Sequence, residues 1–214
     1  MKNNYLILFL LFGFLTTNAQ NKIRFGLKAG LNISTLTVRD ENISGEIGSK
    51  FGFNAGGFLA CPISEKVEIH PELLYSNQGY KFEGTSFNVR YKEKANIDYI
   101  ALPLMLCYYP AKKFSVEFGP QISFLLSNKV KVDYTITSID DGSVSHGSTT
   151  IDNKEETQSV EVGFNVGMGY RITQNLIASG RYNFGLSTAN KKASNSDEQD
   201  RNSVFQFSLG YLFN

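Results

Sequence analysis

Eight charged side chains are conspicuous for where they sit in the chain's pattern. Arg24, Lys28, Arg171 and Arg181 are four cations, and Glu68, Glu72, Glu117 and Glu161 are four anions. Each lies within or at the end of a stretch that alternates apolar and polar residues, and each falls on the polar side. Charges shut inside a narrow space are costly unless they are paired. The chemistry these residues offer is therefore electrostatic, an interior network of ion pairs. Counting residues from the nearest turns puts Lys28, Glu72, Glu117 and Arg181 at similar depth, so Glu72 and Glu117 are expected to pair with Lys28 and Arg181. Arg24, Glu68 and Glu161 lie nearer strand ends, where water can reach them.

Other chemistries find little support. His70 and His146 are the only imidazoles. His70 reads as a polar interior residue beside Pro71, and His146 lies between Ser145 and Gly147 with Asp140 and Asp141 nearby. Proximity in sequence does not make the nucleophile, base and orienter of a triad, and no enzyme is expected. Two cysteines and two histidines are too few for a zinc cluster. Cys61 and Cys107 fall on opposite faces of their strands and are expected to be buried free thiols. Asp140-Asp141-Gly142 lacks the further ligands of a calcium loop. The glycines alternate with strand residues and do not open a helix, so there is no phosphate loop. No cofactor is implied.

The charges must be held by strands. Eight stretches show a period of two, the signature of β-structure with two unlike faces. Ile23 to Ile33 is the clearest. The others are Phe51–Cys61, Val67–Gly79, Ile97–Tyr109, a strand from Phe114 to Leu126, one ending at Val160–Tyr170, Leu176–Leu186 and Phe205–Phe213. Most span about ten residues, the length of a tilted transmembrane strand. Short connections at Pro62–Lys66, Pro110–Lys113 and Thr173–Asn175 alternate with long ones near Ser34–Lys50, Glu83–Asn96, Ser127–Thr157 and Thr188–Asn202. That rhythm belongs to outer-membrane barrels, with short periplasmic turns and long outer loops. The expected fold is all-β: an eight-stranded antiparallel up-and-down transmembrane β-barrel, its N- and C-termini periplasmic.

In the third long connection Val130, Val132, Tyr134 and Ile136 read as continuing the outward phase of the preceding strand, and Asp140-Asp141-Gly142 supplies turn chemistry. A protruding hairpin and a flexible loop are both compatible with that segment.

Alternation alone does not separate a membrane barrel from a soluble barrel with an apolar cavity. The polar face does. It is dominated by Gly26, Gly30, Gly52, Gly56, Gly119, Gly163, Gly167, Gly169, Gly185 and Gly210, small residues suited to the cramped interior of eight strands. Tyr108, Tyr170 and Tyr211 near one end resemble an interfacial aromatic girdle.

The first residues read as a signal peptide over 1–19: Lys2, an apolar run Tyr5–Leu15, then Thr17-Asn18-Ala19. Cleavage would leave a barrel domain over 20–214 starting at Gln20. Of 21 Lys+Arg and 20 Asp+Glu, only Lys2 would be lost, leaving a neutral mature chain that speaks against nucleic-acid binding.

Ile69-His70-Pro71-Glu72-Leu73-Leu74-Tyr75-Ser76-Asn77-Gln78-Gly79 and Tyr99-Ile100-Ala101-Leu102-Pro103-Leu104-Met105-Leu106 resemble consecutive strand motifs of the PorT-like outer-membrane β-barrel proteins. Gly26–Asn32, Phe118-Gly119-Pro120 and Gly210-Tyr211-Leu212-Phe213 also fit, and the resemblance covers the mature chain. Ala101 stands where the family often has an acidic residue, and Asn214 follows the terminal aromatic. The resemblance implies insertion by the barrel-assembly machinery, and a named relative assists secretion. The expected function is a non-enzymatic envelope barrel in contact with outer-membrane lipid. Its partner would be an extracellular or secretion-complex protein met through loops 34–50 and 127–157. An accessory secretion subunit and a narrow porin are the alternatives.

Overall fold

A strand with one apolar and one polar face leaves backbone groups unpaired at its edges until its sheet closes. In the computed structural model, which describes residues 22–37, 45–139, 141–187 and 201–213, the sheet closes. Its strands are β1 (Arg24–Thr37), β2 (Gly45–Ser64), β3 (Val67–Gln78), β4 (Tyr80–Ser86), β5 (Val89–Ala111), β6 (Phe114–Thr137), β7 (Val144–Asp152), β8 (Val160–Arg171), β9 (Leu176–Gly185) and β10 (Arg201–Leu212). All pairings are antiparallel. The circuit β1–β2–β3–β5–β6–β8–β9–β10 returns to β1 through Gly26↔Leu212 to Thr37↔Arg201, giving eight staves.

The remaining two strands extend this ring. β4 carries β3 onward past Gly79, whose φ of +141° suits glycine, and whose absent Cβ leaves room for the Ala95 carbonyl. β7 pairs only with β6, from Lys129↔Asp152 to Thr137↔Val144.

The two faces are distributed inside out relative to a soluble protein. Leu31, Phe51, Phe53, Leu104, Phe118, Ile122, Phe164 and Phe207 are exposed on the outer wall. Asn32, Asn54, Glu72, Gln121, Asn165 and Arg181 are buried within. Apolar outside and polar inside is the arrangement of a barrel solvated by lipid. Tyr108, Tyr170 and Tyr211 stand outward near the short-turn end, with Phe25 stacked on Phe213 at a ring separation of 5.8 Å.

Three of the expected long loops are largely strand. The segment 34–50 is entered by β1 from one side and β2 from the other, with residues 38–44 outside the described set. The segment 83–96 is the β4–β5 hairpin, turning at Phe87-Asn88. The segment 127–157 is the protruding β6–β7 hairpin, followed by a 3-10 turn at Lys154–Glu156. Polar composition concealed alternation in the first two of these segments, while the third showed it at Val130, Val132, Tyr134 and Ile136. Phe82 and Tyr91, 5.8 Å apart, cover Gly45 and Gly84, and Tyr134 covers Gly147, so aromatic rings shield the glycines of this extension. Residues 1–21 and 188–200 lie outside the described set, and with them the expected signal peptide and most of the fourth loop.

One sequence expectation is reversed. Val130, Val132, Tyr134 and Ile136 do not keep the outward phase. A bulge sets Asp98↔Ser127 beside Tyr99↔Leu125, so Leu126 is skipped in the ladder and every later residue of β6 changes face. Val130 is consequently buried with Ala95, Ile97, Tyr99 and Leu125, and Val132 and Tyr80 pack against that cluster. Lys129, Lys131 and Asp133 take the outer face.

Candidate functional site

The interior is organised in tiers from the short-turn end upward. In the lowest, Arg171 Nη2 donates to both oxygens of Glu68, at 2.6 and 2.7 Å, and to Tyr109 Oη at 3.0 Å. The Arg171 guanidinium lies 4.4 Å from the centre of the Tyr109 ring. Glu68 Oε2 also meets His70 Nε2 at 2.9 Å, and His70 Nδ1 lies 3.4 Å from Cys107 Sγ. Arg24 stands apart from these ion pairs, donating to the Gln174 carbonyl at 3.3 Å at the turn rim.

The middle tier brings together Lys28, Glu72, Glu117 and Arg181, from β1, β3, β6 and β9. Arg181 donates from Nη1 to Glu72 Oε2 at 2.9 Å, from Nη2 to Glu72 Oε1 at 2.8 Å, and from Nε to Glu117 Oε2 at 2.8 Å. Lys28 Nζ donates to Glu72 Oε1 at 2.8 Å, and Ser115 Oγ to Glu117 Oε1 at 3.1 Å. All four charged side chains are buried. Two cations against two carboxylates leave no formal charge, and the guanidinium fork matches one carboxylate while its third edge reaches the other.

Above them lies an amide tier. Asn54 donates to Asn32 at 2.7 Å, Asn32 to Ser76 at 2.9 Å, Asn183 to Asn165 at 3.0 Å and Asn165 to Gln121 at 3.1 Å. Higher still, Tyr99 Oη donates to Glu161 Oε1 at 2.6 Å, and the Ala95–Val130 apolar cluster fills the region around Tyr99. Glu161 therefore has a phenol as partner. Ala101, buried opposite Leu74 and Ser123, contributes no charge to any tier.

Sequence reasoning passed over the residue that plugs the middle tier. Phe58 is 3 % exposed and points inward, its ring in the space left by Gly26 and Gly210. Lys28 Nζ sits 5.2 Å from its centroid and His70 5.6 Å from it. The signal was available: Phe58 occupies the polar phase of β2, opposite a glycine of β1. Tyr99 and Tyr109 are legible in the same way, by their inward phase on β5. The void bordered by Lys28, Phe58, His70, Glu117 and Arg181 is about 10 Å³, room for about one water.

Cys107, His70 and Glu68 stand in the order nucleophile, base, carboxylate. Their geometry is that of packing: Cys107 is fully buried, and the small void beside His70 admits no substrate. Cys61 lies half-buried on the outer side of β2 and is free, as is Cys107. At the far hairpin Thr135 Oγ1 lies 3.1 Å from His146 Nδ1. Asp141 accepts the Ser143 backbone N–H at 3.0 Å, which holds its carboxyl at about 2. Asp140 lies outside the described residues. Among the described residues no group of three or more His, Cys, Asp or Glu side chains is placed to hold a metal ion.

A closed antiparallel ring with an apolar exterior and a hydrogen-bonded polar interior defines an integral membrane β-barrel. The chain belongs to the outer membrane protein beta-barrel domain family, whose profile matches residues 18–190, and it is an integral protein of the bacterial outer membrane. No curated protein sequence matches it significantly. Among solved structures it is similar to Ail, the attachment invasion locus protein of Yersinia pestis, at 10 % identity and TM-score 0.46, covering 90 % of this chain and 100 % of that one. Neisserial surface protein A is similar at 17 % identity and TM-score 0.44, with 90 % and 100 % covered. CarO of Acinetobacter baumannii is similar at 12 % identity and TM-score 0.41, with 86 % and 97 % covered.

Proposed function

We propose that this protein is a non-enzymatic envelope barrel whose lumen is closed for stability and whose working surface is the β4–β7 extension. The supporting observation is the middle tier, where Arg181 joins Glu72 and Glu117 beside Lys28 and Phe58, leaving space for about one water. In this reading the short turns and both termini face the periplasm and the extension faces outward. Residues 1–19 are then a signal peptide, and the mature chain begins at Gln20. The extension presents a strand edge and hairpin tips to an extracellular or envelope partner, and the 34–50 segment adjoins it.

The accessory secretion role is a second reading, favoured by the likeness of Ile69–Gly79 and Tyr99–Leu106 to PorT-like strands. One experiment addresses both. A photo-crosslinking amino acid placed at Ser148 in living cells would capture a surface or envelope partner in the first reading and translocon subunits in the second. Recovery of neither would defeat the view of the extension as a working surface. Purified protein in planar bilayers is expected to show no large, steady conductance. Such conductance would establish a porin instead.

A further inference from the structure

The phase change at the Leu126 bulge has a consequence on the outer wall. Lys81 pairs directly with Lys94, and Lys94 directly with Lys131, so three exposed lysines form one row across β4, β5 and β6. Lys129 shares their face one row nearer the apolar band, opposite Asp152. Like charges directly opposite one another destabilise a sheet unless a counter-charge intervenes.

The row beyond has its own counter-charges: Lys92 pairs with Glu83 at 2.8 Å. Asp133, in that row, reaches Lys131 at 2.9 Å, and Arg90 reaches Glu83 at 3.6 Å. Among the described residues Lys81 and Lys94 have no ion pair. On the other side, Asp98 faces outward too, but its oxygens accept Tyr75 and Asn77 at 2.6 Å and Ser127 at 2.8 Å. Toward the short-turn end from Asp98 come half-buried Ile100 and its partner Phe124, with Leu126 beside them and Phe53 on β2. Phe53, Phe124 and Leu126 are exposed on the lipid-facing wall. Across the ring, β8 and β9 reach the rim with Val160 and Phe184, both apolar and exposed.

We propose that Lys81, Lys94 and Lys131, with Lys129 beside them, bind the phosphates of a lipid headgroup in the leaflet next to the extension. The place argues for a lipid. Ile100 lies roughly 20 Å along β5 from Lys94, past Asn96 and Asp98. An acyl chain hanging from a headgroup level with the lysines therefore runs down the wall onto Ile100, Leu126 and Phe53. The charge argues for phosphate, and the spacing for more than one. Neighbouring strands are about 4.8 Å apart, so the row spans roughly 10 Å. That width exceeds a single phosphate and suits a headgroup carrying two. The identity of that leaflet rests on the outward orientation proposed above; the lysine–phosphate contact does not.

The test uses the full mature chain in phosphatidylcholine nanodiscs, titrated with bisphosphorylated lipid A and read by native mass spectrometry. The triple variant Lys81→Gln, Lys94→Gln, Lys131→Gln is expected to bind roughly a hundredfold more weakly, about a factor of five per charge. Dephosphorylated lipid A is expected not to bind, and the triple Lys→Arg variant to bind as the parent does. Should the triple Gln protein fail to insert, Lys94→Gln alone is expected to show a roughly fivefold loss. Unchanged affinity in the Gln variants, or equal binding of dephosphorylated lipid A, overturns the proposal. Inorganic phosphate displacing lipid A at equal concentration also overturns it, by showing a free-anion site. Surface biotinylation of the extension in intact cells reports on orientation separately.

Discussion

Arg181 grips Glu72 through two parallel hydrogen bonds of 2.9 and 2.8 Å, although 109 residues separate them in the chain. The same guanidinium reaches Glu117 at 2.8 Å, so one side chain ties β9 to β3 and β6 across the lumen. In a closed ring no strand can shift without carrying such a bridge with it. The ion pairs therefore act on register as well as on charge.

Removing this bridge should be costly. Arg181→Met leaves Glu72 with only Lys28 and strips Glu117 of its salt bridge, and breaking a buried pair in this way costs about 3–5 kcal/mol. Urea unfolding in detergent micelles is expected to show that loss. Arg181→Lys, which keeps the charge but not the fork, should fall between the two. Equal stability of Arg181→Met and the parent would show that the network does not hold the barrel.

Phe58 and Gly26 should be energetically coupled. Valine at position 26 would overlap the Phe58 ring, and overpacking of this kind costs about 1–3 kcal/mol. Phe58→Ala removes the obstacle and leaves a cavity of its own. The double variant should therefore be less destabilised than the sum of the two singles, by about 0.5–3 kcal/mol in a double-mutant cycle.

The two thiols should differ in reactivity. In a Cys61→Ser background, Cys107 is fully buried beside His70 and should resist maleimide until the barrel is unfolded. Labelling of Cys107 in the folded protein, followed by mass spectrometry, would contradict its burial against His70. Cys107→Ala should leave the fold intact at a cost of about 1 kcal/mol, the order expected for a small cavity.

The distal hairpin should be dispensable for folding. Asp133 and Ser148 face one another across β6 and β7, and β7 joins no stave of the ring other than β6. Replacing residues 134–147 by Asn-Gly, a two-residue hairpin turn, should leave the thermal midpoint within a few degrees of the parent. Crosslinking through Ser148 should weaken in the same variant. A collapse of stability would mean that the hairpin is part of the barrel's core.

Much of this was legible from a period of two. The inward phase of Lys28, Glu72, Glu117 and Arg181 follows from their neighbours, and their common depth follows from counting residues to the short turns. The phase of Phe58, Tyr99 and Tyr109 was equally readable, but each looked like an ordinary apolar or aromatic strand residue. Glu161 looked like one more network anion, and only the structure shows Tyr99 as its partner. The β4–β5 hairpin was hidden, and the β6–β7 hairpin stayed open against a flexible loop, because water-facing strands carry Lys, Thr and Ser on the face that lipid-facing strands fill with Leu and Phe.

By itself the sequence determined the faces of the strands, the lipid-facing exterior, the turns and the set of interior charges. These depend on local backbone geometry, which sends successive side chains to opposite sides. The tertiary structure decided which carboxylate meets which cation, where Phe58 fits, and on which side Val130 and Lys131 stand. Those outcomes depend on register between strands far apart in the chain. The bulge that skips Leu126 is a cross-strand event, with no mark in β6 read alone.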